Sequence, residues 1–353
     1  MKTMLVKTTR ILIICWVVAI CGFNATAQDT HLSQYNYSPL ELNPALAGLN
    51  SCDYRIALNA RTQWNTVSGG NTYSTFGASG DISVGKATRF NSFAGVGVSI
   101  QSDIAGATSY NTNRGDVTAA YHFMLNRRGT SSLSFGLQLG INHRGFNPDK
   151  STYDAQYDPV TGKYDPSLPR ESFARTNMVY IDAGAGMLYS VSFKRQRNNI
   201  YLGLALNHIN QPNISWYSAG LYNPTGSDKL FLKTTIHGGG SFQIGDKTWI
   251  MPNFMLLFQG PSQQYNFGSL VRLKLGNSAS TTFFYLGAQF RAPLDAVIFQ
   301  TRIDYKGFTI GFSYDVNVSK LTPASQTFGA PELAVMYQGC LKRKPRPFFC
   351  PFM

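Results

Sequence analysis

Leu133, Phe135, Leu137, Leu139 and Ile141 are apolar, and Ser134, Gly136, Gln138, Gly140 and Asn142 between them are small or polar. Successive side chains of an extended chain point to opposite faces, so this segment carries one oily face and one wet face. The pattern recurs from about Tyr54 to Tyr337. Many of the segments run to ten or more residues, the length a tilted strand needs to cross about 25–30 Å of hydrocarbon. Alternation and turn residues together predict fourteen strands, starting near Tyr54, Thr72, Ser92, Arg114, Ser131, Met178, Asn199, Phe231, Thr248, Gln263, Ser280, Asp295, Phe308 and Glu332. An even number lets an antiparallel barrel close with both strand ends on one side of the membrane. The expected fold is all-β, a closed transmembrane barrel.

A charge on the lipid face near the midplane costs about 2–4 kcal/mol, which orients each strand. Val271, Leu273 and Leu275 must then face lipid while Arg272 and Lys274 face the lumen. Likewise Val297, Phe299, Ile303 and Tyr305 point outward, and Gln300, Arg302 and Asp304 inward. A soluble β-sandwich also alternates. Against it stands a charged fraction of only 14%, where soluble domains have about 25%; the wet faces are rich in Gly, Ser, Asn and Ala.

Lys2, Lys7 and Arg10 precede an apolar run from Ile11 to Phe23, and Ala25-Thr26-Ala27 reads as a cleavage site, so residues 1–27 are expected to be an export signal. Bulky Ile20 before Cys21 argues against a lipoprotein anchor. The rest divides into an N-terminal periplasmic or plug-like segment (28–53), a barrel (54–339) and a basic periplasmic tail (340–353). Residues 28–53 lack alternation and contain Pro39 and Pro44, which suit turns better than the middle of a sheet.

Connections alternate in length. Short ones fall near 86–89, 127–130, 194–198, 246–247, 277–279 and 306–307, and long ones at 147–177, 210–230 and 319–331. Bacterial barrels place short turns in the periplasm and long loops outside. The net charge of +13 includes the three signal cations, which leaves +10 for the exported chain. Nucleic acid is an improbable partner for an exported protein, and the cations gather on the expected periplasmic side. Lys86, Arg89, Arg127, Arg128, Lys194, Arg195, Arg197, Lys247 and Lys306 lie in turns, and Lys342, Arg343, Lys344 and Arg346 in the tail. A one-signed rim speeds encounter with an acidic partner. Ordinary solvated turn chemistry accounts for any single one of them.

Cys52 precedes the first strand, and Cys340 and Cys350 follow the last. The first and last strands of a closed barrel are neighbours, so all three share one periplasmic seam, where disulfides are permitted. Cys52 is expected to bond Cys340 or Cys350, with the pairing left open. His31, His122, His143, His208 and His237 are scattered without metal-ligand spacing, and the four aspartates of the 147–177 loop do not match a calcium loop, so no metal or cofactor is expected. That loop, with four prolines and three tyrosines, reads as a stiff cap. Trp216 and Tyr217, with Leu221 and Tyr222, give the second long loop more apolar surface than a loop needs, an expected external contact patch.

The exported chain begins Gln28-Asp29-Thr30-His31-Leu32-Ser33-Gln34-Tyr35, passes Asn43-Pro44-Ala45-Leu46-Ala47-Gly48, and enters the first strand with Arg55, Asn59, Arg61, Gln63 and Trp64. This order of motifs resembles the PorP/SprF family of the type IX secretion system of Bacteroidota. The resemblance implies a fourteen-stranded outer-membrane barrel without enzymatic activity, working with the secretion and gliding machinery. Its members dock periplasmic machine components or present secreted adhesins, which makes Arg61 and Trp64 candidate partner contacts. Two rival functions are a passive or selective porin, and a lipid hydrolase built from a serine and histidine that meet across strands.

Overall fold

The computed structural model describes residues 29–63, 73–86, 92–126, 129–168, 171–193, 198–218, 227–276, 282–293, 295–319, 322–325 and 327–341. The barrel strands are β1 (Tyr54–Gln63), β2 (Tyr73–Val84), β3 (Phe93–Ala105), β4 (Tyr110–Met124) and β5 (Ser131–Gly145). Two short strands, β6 (Tyr157–Asp158) and β7 (Lys163–Tyr164), form a hairpin in a long loop outside the barrel. The wall continues with β8 (Asn177–Phe193), β9 (Asn198–Asn207), β10 (Lys233–Gln243), β11 (Thr248–Gln259) and β12 (Ser262–Leu275). It ends with β13 (Thr282–Ala292), β14 (Ala296–Tyr305), β15 (Phe308–Asn317) and β16 (Ala330–Gly339). Each barrel strand pairs antiparallel with its neighbours in sequence, β5 pairs with β8, and β1 closes on β16 from Tyr54 opposite Gly339 to Arg61 opposite Glu332. The fourteen expected strands are all present, each starting within a few residues of its expected position.

Closure puts every wall residue on one of two surfaces. Val117, Leu137, Leu139, Ile141, Val179 and Ile181 are 63–68% exposed, and they are contiguous: Val117 opposes Leu139, and Ile141 opposes Ile181. Such a band is far larger than the apolar patches soluble proteins carry, so its solvent is lipid. Val271, Leu273, Leu275, Phe299, Ile303 and Tyr305 are exposed on the same outer surface, while Gln300 and Arg302 are buried in the lumen.

No helix among the described residues is long and apolar enough to cross a membrane. The long loops after β5, β9 and β15 all lie at one rim, together with the short turns after β3, β11 and β13, and the opposite rim carries short connections such as those after β10 and β14. Cys52, Leu341 and the turn at Lys306–Gly307 lie at the short-turn rim.

The lumen is filled by the chain's own N-terminal segment. A 3-10 turn (Tyr35–Tyr37), a single helical turn (Pro39–Leu42) and a second 3-10 turn (Pro44–Leu46) follow one another. Pro39 and Pro44 each sit at the start of a helical turn, where a missing N–H costs nothing and the fixed φ is already helical. Asn43 caps the last turn, its side chain accepting from the Ala45 N–H at 2.9 Å. Tyr35, Leu42, Ala45, Leu46 and Leu49 pack against Phe93, Leu188, Tyr201 and Met255 of the wall. The apolar core therefore lies inside the barrel, between segment and wall.

Candidate functional site

The segment crosses the lumen from one rim to the other, and its polar contacts trace the path. At the long-loop end, the Asp29 N–H donates to Gln259 Oε1 at 3.0 Å. The Asp29 carboxylate meets Arg144 at 3.3 Å, Lys233 at 3.7 Å and the His208 ring. His208 lies between two carboxylates, with Nδ1 at 2.8 Å from Asp182. Burial disfavours the charged imidazole, but the bonds to Asp182 and Asp29 outweigh it and raise the His208 pKa. Burial likewise works against the Asp29 carboxylate, yet the bond from His208 and the charges of Lys233, His208 and Arg144 hold its pKa well below 3.8.

One turn further in, the Ser33 and Gln34 N–H groups donate to the two Glu332 carboxylate oxygens at 2.8 and 2.9 Å. Ser33 Oγ donates to Asp315 at 2.7 Å. Arg61 and Arg291 both reach Asp315 at 2.9 Å, and Arg61 also faces Glu332 at 3.4 Å. These charges are buried and mutually paired, which is the condition for tolerating them away from water. Arg61, expected as a partner contact, is only 3% exposed and is spent on this internal network.

At mid-depth Asn43 Nδ2 donates to the Met187 carbonyl at 3.0 Å and lies 3.0 Å from His237 Nε2, which ties the capping residue to β8 and β10. Backbone approaches backbone here. A Cβ on Gly136 would fall 2.3 Å from the Pro44 carbonyl carbon, and one on Gly95 would fall 1.9 Å from the Ala47 carbonyl oxygen. Only glycine leaves room for the segment at these two positions.

Near the short-turn rim, His122 Nε2 donates to the Ala47 carbonyl at 2.8 Å, and Ser134 Oγ lies 2.7 Å from its Nδ1. A serine and a histidine thus do meet across strands. Both are fully buried, and the ring's second nitrogen holds the segment's backbone. Arg55 pairs with Asp81 at 2.8 Å and donates to the Leu46 carbonyl at 3.0 Å, while the Gly48 N–H donates to Asp81 at 2.7 Å. Lys86, counted in sequence among the rim cations, turns inward and donates to the carbonyls of Asn50 and Cys52. Cys52 is disulfide-bonded to Cys340, with Cα atoms 4.5 Å apart, joining the segment's foot to the end of β16.

The residues that carried the sequence resemblance are therefore largely those that seat the segment. Their partners, such as Glu332, Asp315, His122 and Gly136, escaped sequence reasoning because each lies far along the chain. Gly136 was read only as part of a wet face.

Trp216 and Tyr217 lie at the long-loop rim. Trp216 is half-buried, with its ring 4.8 Å from Phe146 and 6.2 Å from Tyr110, and Phe173 bridges Phe146 and Tyr217 at 4.9 and 5.4 Å. The Trp216 carbonyl accepts from the Ala174 N–H, so these rings pin the two long loops together. Tyr217 keeps an exposed edge, and the β6–β7 hairpin presents Tyr157, Val160 and Tyr164 to solvent. Trp64, Lys194, Arg195, Arg197, Lys342, Arg343, Lys344, Arg346 and Cys350 lie outside the described residues. Among the described residues no group of three or more His, Cys, Asp or Glu side chains is placed to hold a metal ion.

The fold is similar to several solved outer-membrane barrels at low identity. A Pseudomonas aeruginosa FadL homologue is 8% identical at a TM-score of 0.49, covering 84% of this chain and 92% of that one. The TodX deltaS2S3 mutant monoaromatic hydrocarbon channel is 10% identical at a TM-score of 0.45, covering 84% and 92%. The translocator domain of the autotransporter NalP from Neisseria meningitidis is 10% identical at a TM-score of 0.37, covering 87% and 98%. No curated protein matches the chain in sequence. The family model for the type IX secretion system membrane protein PorP/SprF, in contrast, matches residues 24–337. With a closed barrel, a lipid-facing band and that match over nearly its whole length, this chain belongs to the PorP/SprF family of outer-membrane proteins of type IX secretion.

Proposed function

We propose that this protein is a non-enzymatic assembly component of the type IX machinery. Its short-turn rim docks acidic periplasmic parts of the machine, and its long-loop rim is available to a secreted adhesin. The observation that carries this reading is the occupied lumen. Two gaps between segment and wall measure about 40 and 20 Å3, room for one to a few waters. Buried ion pairs and close backbone contacts hold the segment on both sides of the midplane. A passive porin needs an open, water-filled lumen, which makes the porin the weaker reading.

The rim cations supply the docking chemistry. Lys194, Arg195 and Arg197 in one turn and Lys342, Arg343, Lys344 and Arg346 in the tail are seven positive charges in two short stretches of sequence, enough to steer an acidic surface. The test has two arms. Purified protein in a planar bilayer is expected to show no porin-like conductance. Reversing the seven cations to Glu is expected to abolish co-purification of periplasmic machine components while the barrel still assembles. Open-channel conductance in the native protein, or full co-purification by the reversed variant, refutes the proposal.

A further inference from the structure

An even-stranded barrel puts both strand ends on the periplasmic side, and the barrel here obeys that rule: Tyr54 and Gly339 are paired at the short-turn rim. The N-terminal segment does not stay on that side. Read backwards from Cys52, the chain meets Asp81 and His122, then His237 and Met187, then Asn253 through Tyr35, then Asp315 and Glu332. It reaches Asp29 among Arg144, His208, Lys233 and Gln259. Those four lie at the ends of β5, β9, β10 and β11 on the rim that carries the long loops. The path is not straight: Glu41 lies near Lys233 and Leu257, Tyr37 then packs low in the lumen on Ala57 and Met336, and the chain climbs again from there to Asp29.

We propose that the exported chain displays its amino terminus on the outer face of the membrane, with Asp29 seated at the long-loop mouth. The two free ends of the protein then lie on opposite sides of the membrane: the end of β16 is held at the periplasmic seam by Cys340, and the amino terminus faces the medium beside the aromatic loop cluster. Lumen and amino terminus form one device, because the segment that closes the barrel is also the one that leads to the surface.

The experiment places a short epitope directly before Asp29 in the full-length protein, with the same epitope in two reference positions, at Gly162 in the outer hairpin and at Lys306 in a short turn. Antibody binding is measured on intact cells and again after the outer membrane is permeabilised. The epitopes before Asp29 and at Gly162 are expected to bind on intact cells with no gain on permeabilisation, and the epitope at Lys306 to bind only afterwards. An epitope before Asp29 that stays hidden until permeabilisation, while that at Gly162 is exposed, overturns the proposal. Exposure at Lys306 with concealment at Gly162 instead overturns the orientation of the whole barrel, and the proposal with it. Where the insertion blocks assembly, seen as loss of the Cys52–Cys340 bond, a single cysteine before Asp29 challenged on intact cells with a membrane-impermeant maleimide gives the same reading: labelling supports the proposal and protection refutes it.

Discussion

At the long-loop end the lumenal segment is gripped by charge: Asp29 lies among Arg144, Lys233 and His208, and Ser33 and Gln34 lean on Glu332 beside Arg61. At mid-depth and at the foot a steric and covalent hold is added to the Arg55–Asp81 pair, which grips the Leu46 carbonyl and the Gly48 N–H. Pro44 and Ala45 pass against Gly136, Ala47 and Gly48 pass against Gly95, and a disulfide then fixes Cys52 to the wall. A charged grip works only while its partners keep their protonation, whereas a steric seat is indifferent to pH and salt. The outer end therefore depends on protonation, whereas the foot keeps a steric and covalent hold besides its Arg55–Asp81 pair.

Breaking the charged end has the largest expected effect. Glu332→Ala removes the acceptor for two backbone N–H groups and leaves Arg61 sharing Asp315 with Arg291. Removing one partner of a buried pair costs about 3–5 kcal/mol. Hydrogen exchange at Ser33 and Gln34 is expected to rise sharply, with protection at Leu46–Leu49 retained. Equal loss of protection along the whole segment contradicts the idea of two independent grips.

Crowding the shaped end comes next. Gly136→Leu drives a side chain into the Pro44 and Ala45 backbone, a region that cannot step aside as a flexible side chain can. Overpacking of this kind costs about 1–3 kcal/mol. The expected result is protease cleavage near Leu46 in a barrel whose strands stay intact, read by mass spectrometry of the nicked protein. Resistance equal to that of the wild type means the contact is looser than the geometry indicates.

The smallest effect is a pH dependence confined to the outer end. His208 has a raised folded-state pKa, so its contribution is complete below 6.5 and is lost as pH rises through the raised value. Asp29 has a lowered one, so its contribution is present above 3.8 and is lost as pH falls through the lowered value. Exchange of the Asp29 N–H is expected to be slowest between these limits and to quicken on both sides. His208→Gln is expected to remove the alkaline limb and leave an acid limb. An unchanged alkaline limb in that variant assigns the effect to another group.

The barrel was legible because its signals are local. Each strand declares itself through alternation within ten or so residues, and Arg272, Lys274 and Arg302 orient their strands because a charge cannot face lipid. The lumenal segment was half legible: lack of alternation and the two prolines excluded a strand, yet nothing within residues 28–53 distinguishes a turn at the mouth from a plug in the lumen. Arg61 was misassigned because an arginine in a motif shows no sign in sequence of whether its carboxylate partners belong to another protein or to its own chain, 254 and 271 residues away. Trp216 reads as surplus apolar surface because Phe146 and Tyr110, which pack against it, belong to distant parts of the chain.

Period-two alternation and the cost of charge in lipid act on neighbouring residues, so the strands and their faces can be read along the chain. That Cys52 meets Cys340 across 288 residues of chain follows from the folded barrel alone. The fold also decided that Arg61 serves Ser33, Asp315 and Glu332, and that the first residues run up the lumen. Those outcomes depend on which groups the closed barrel brings face to face, and closure is a property of all fourteen strands together.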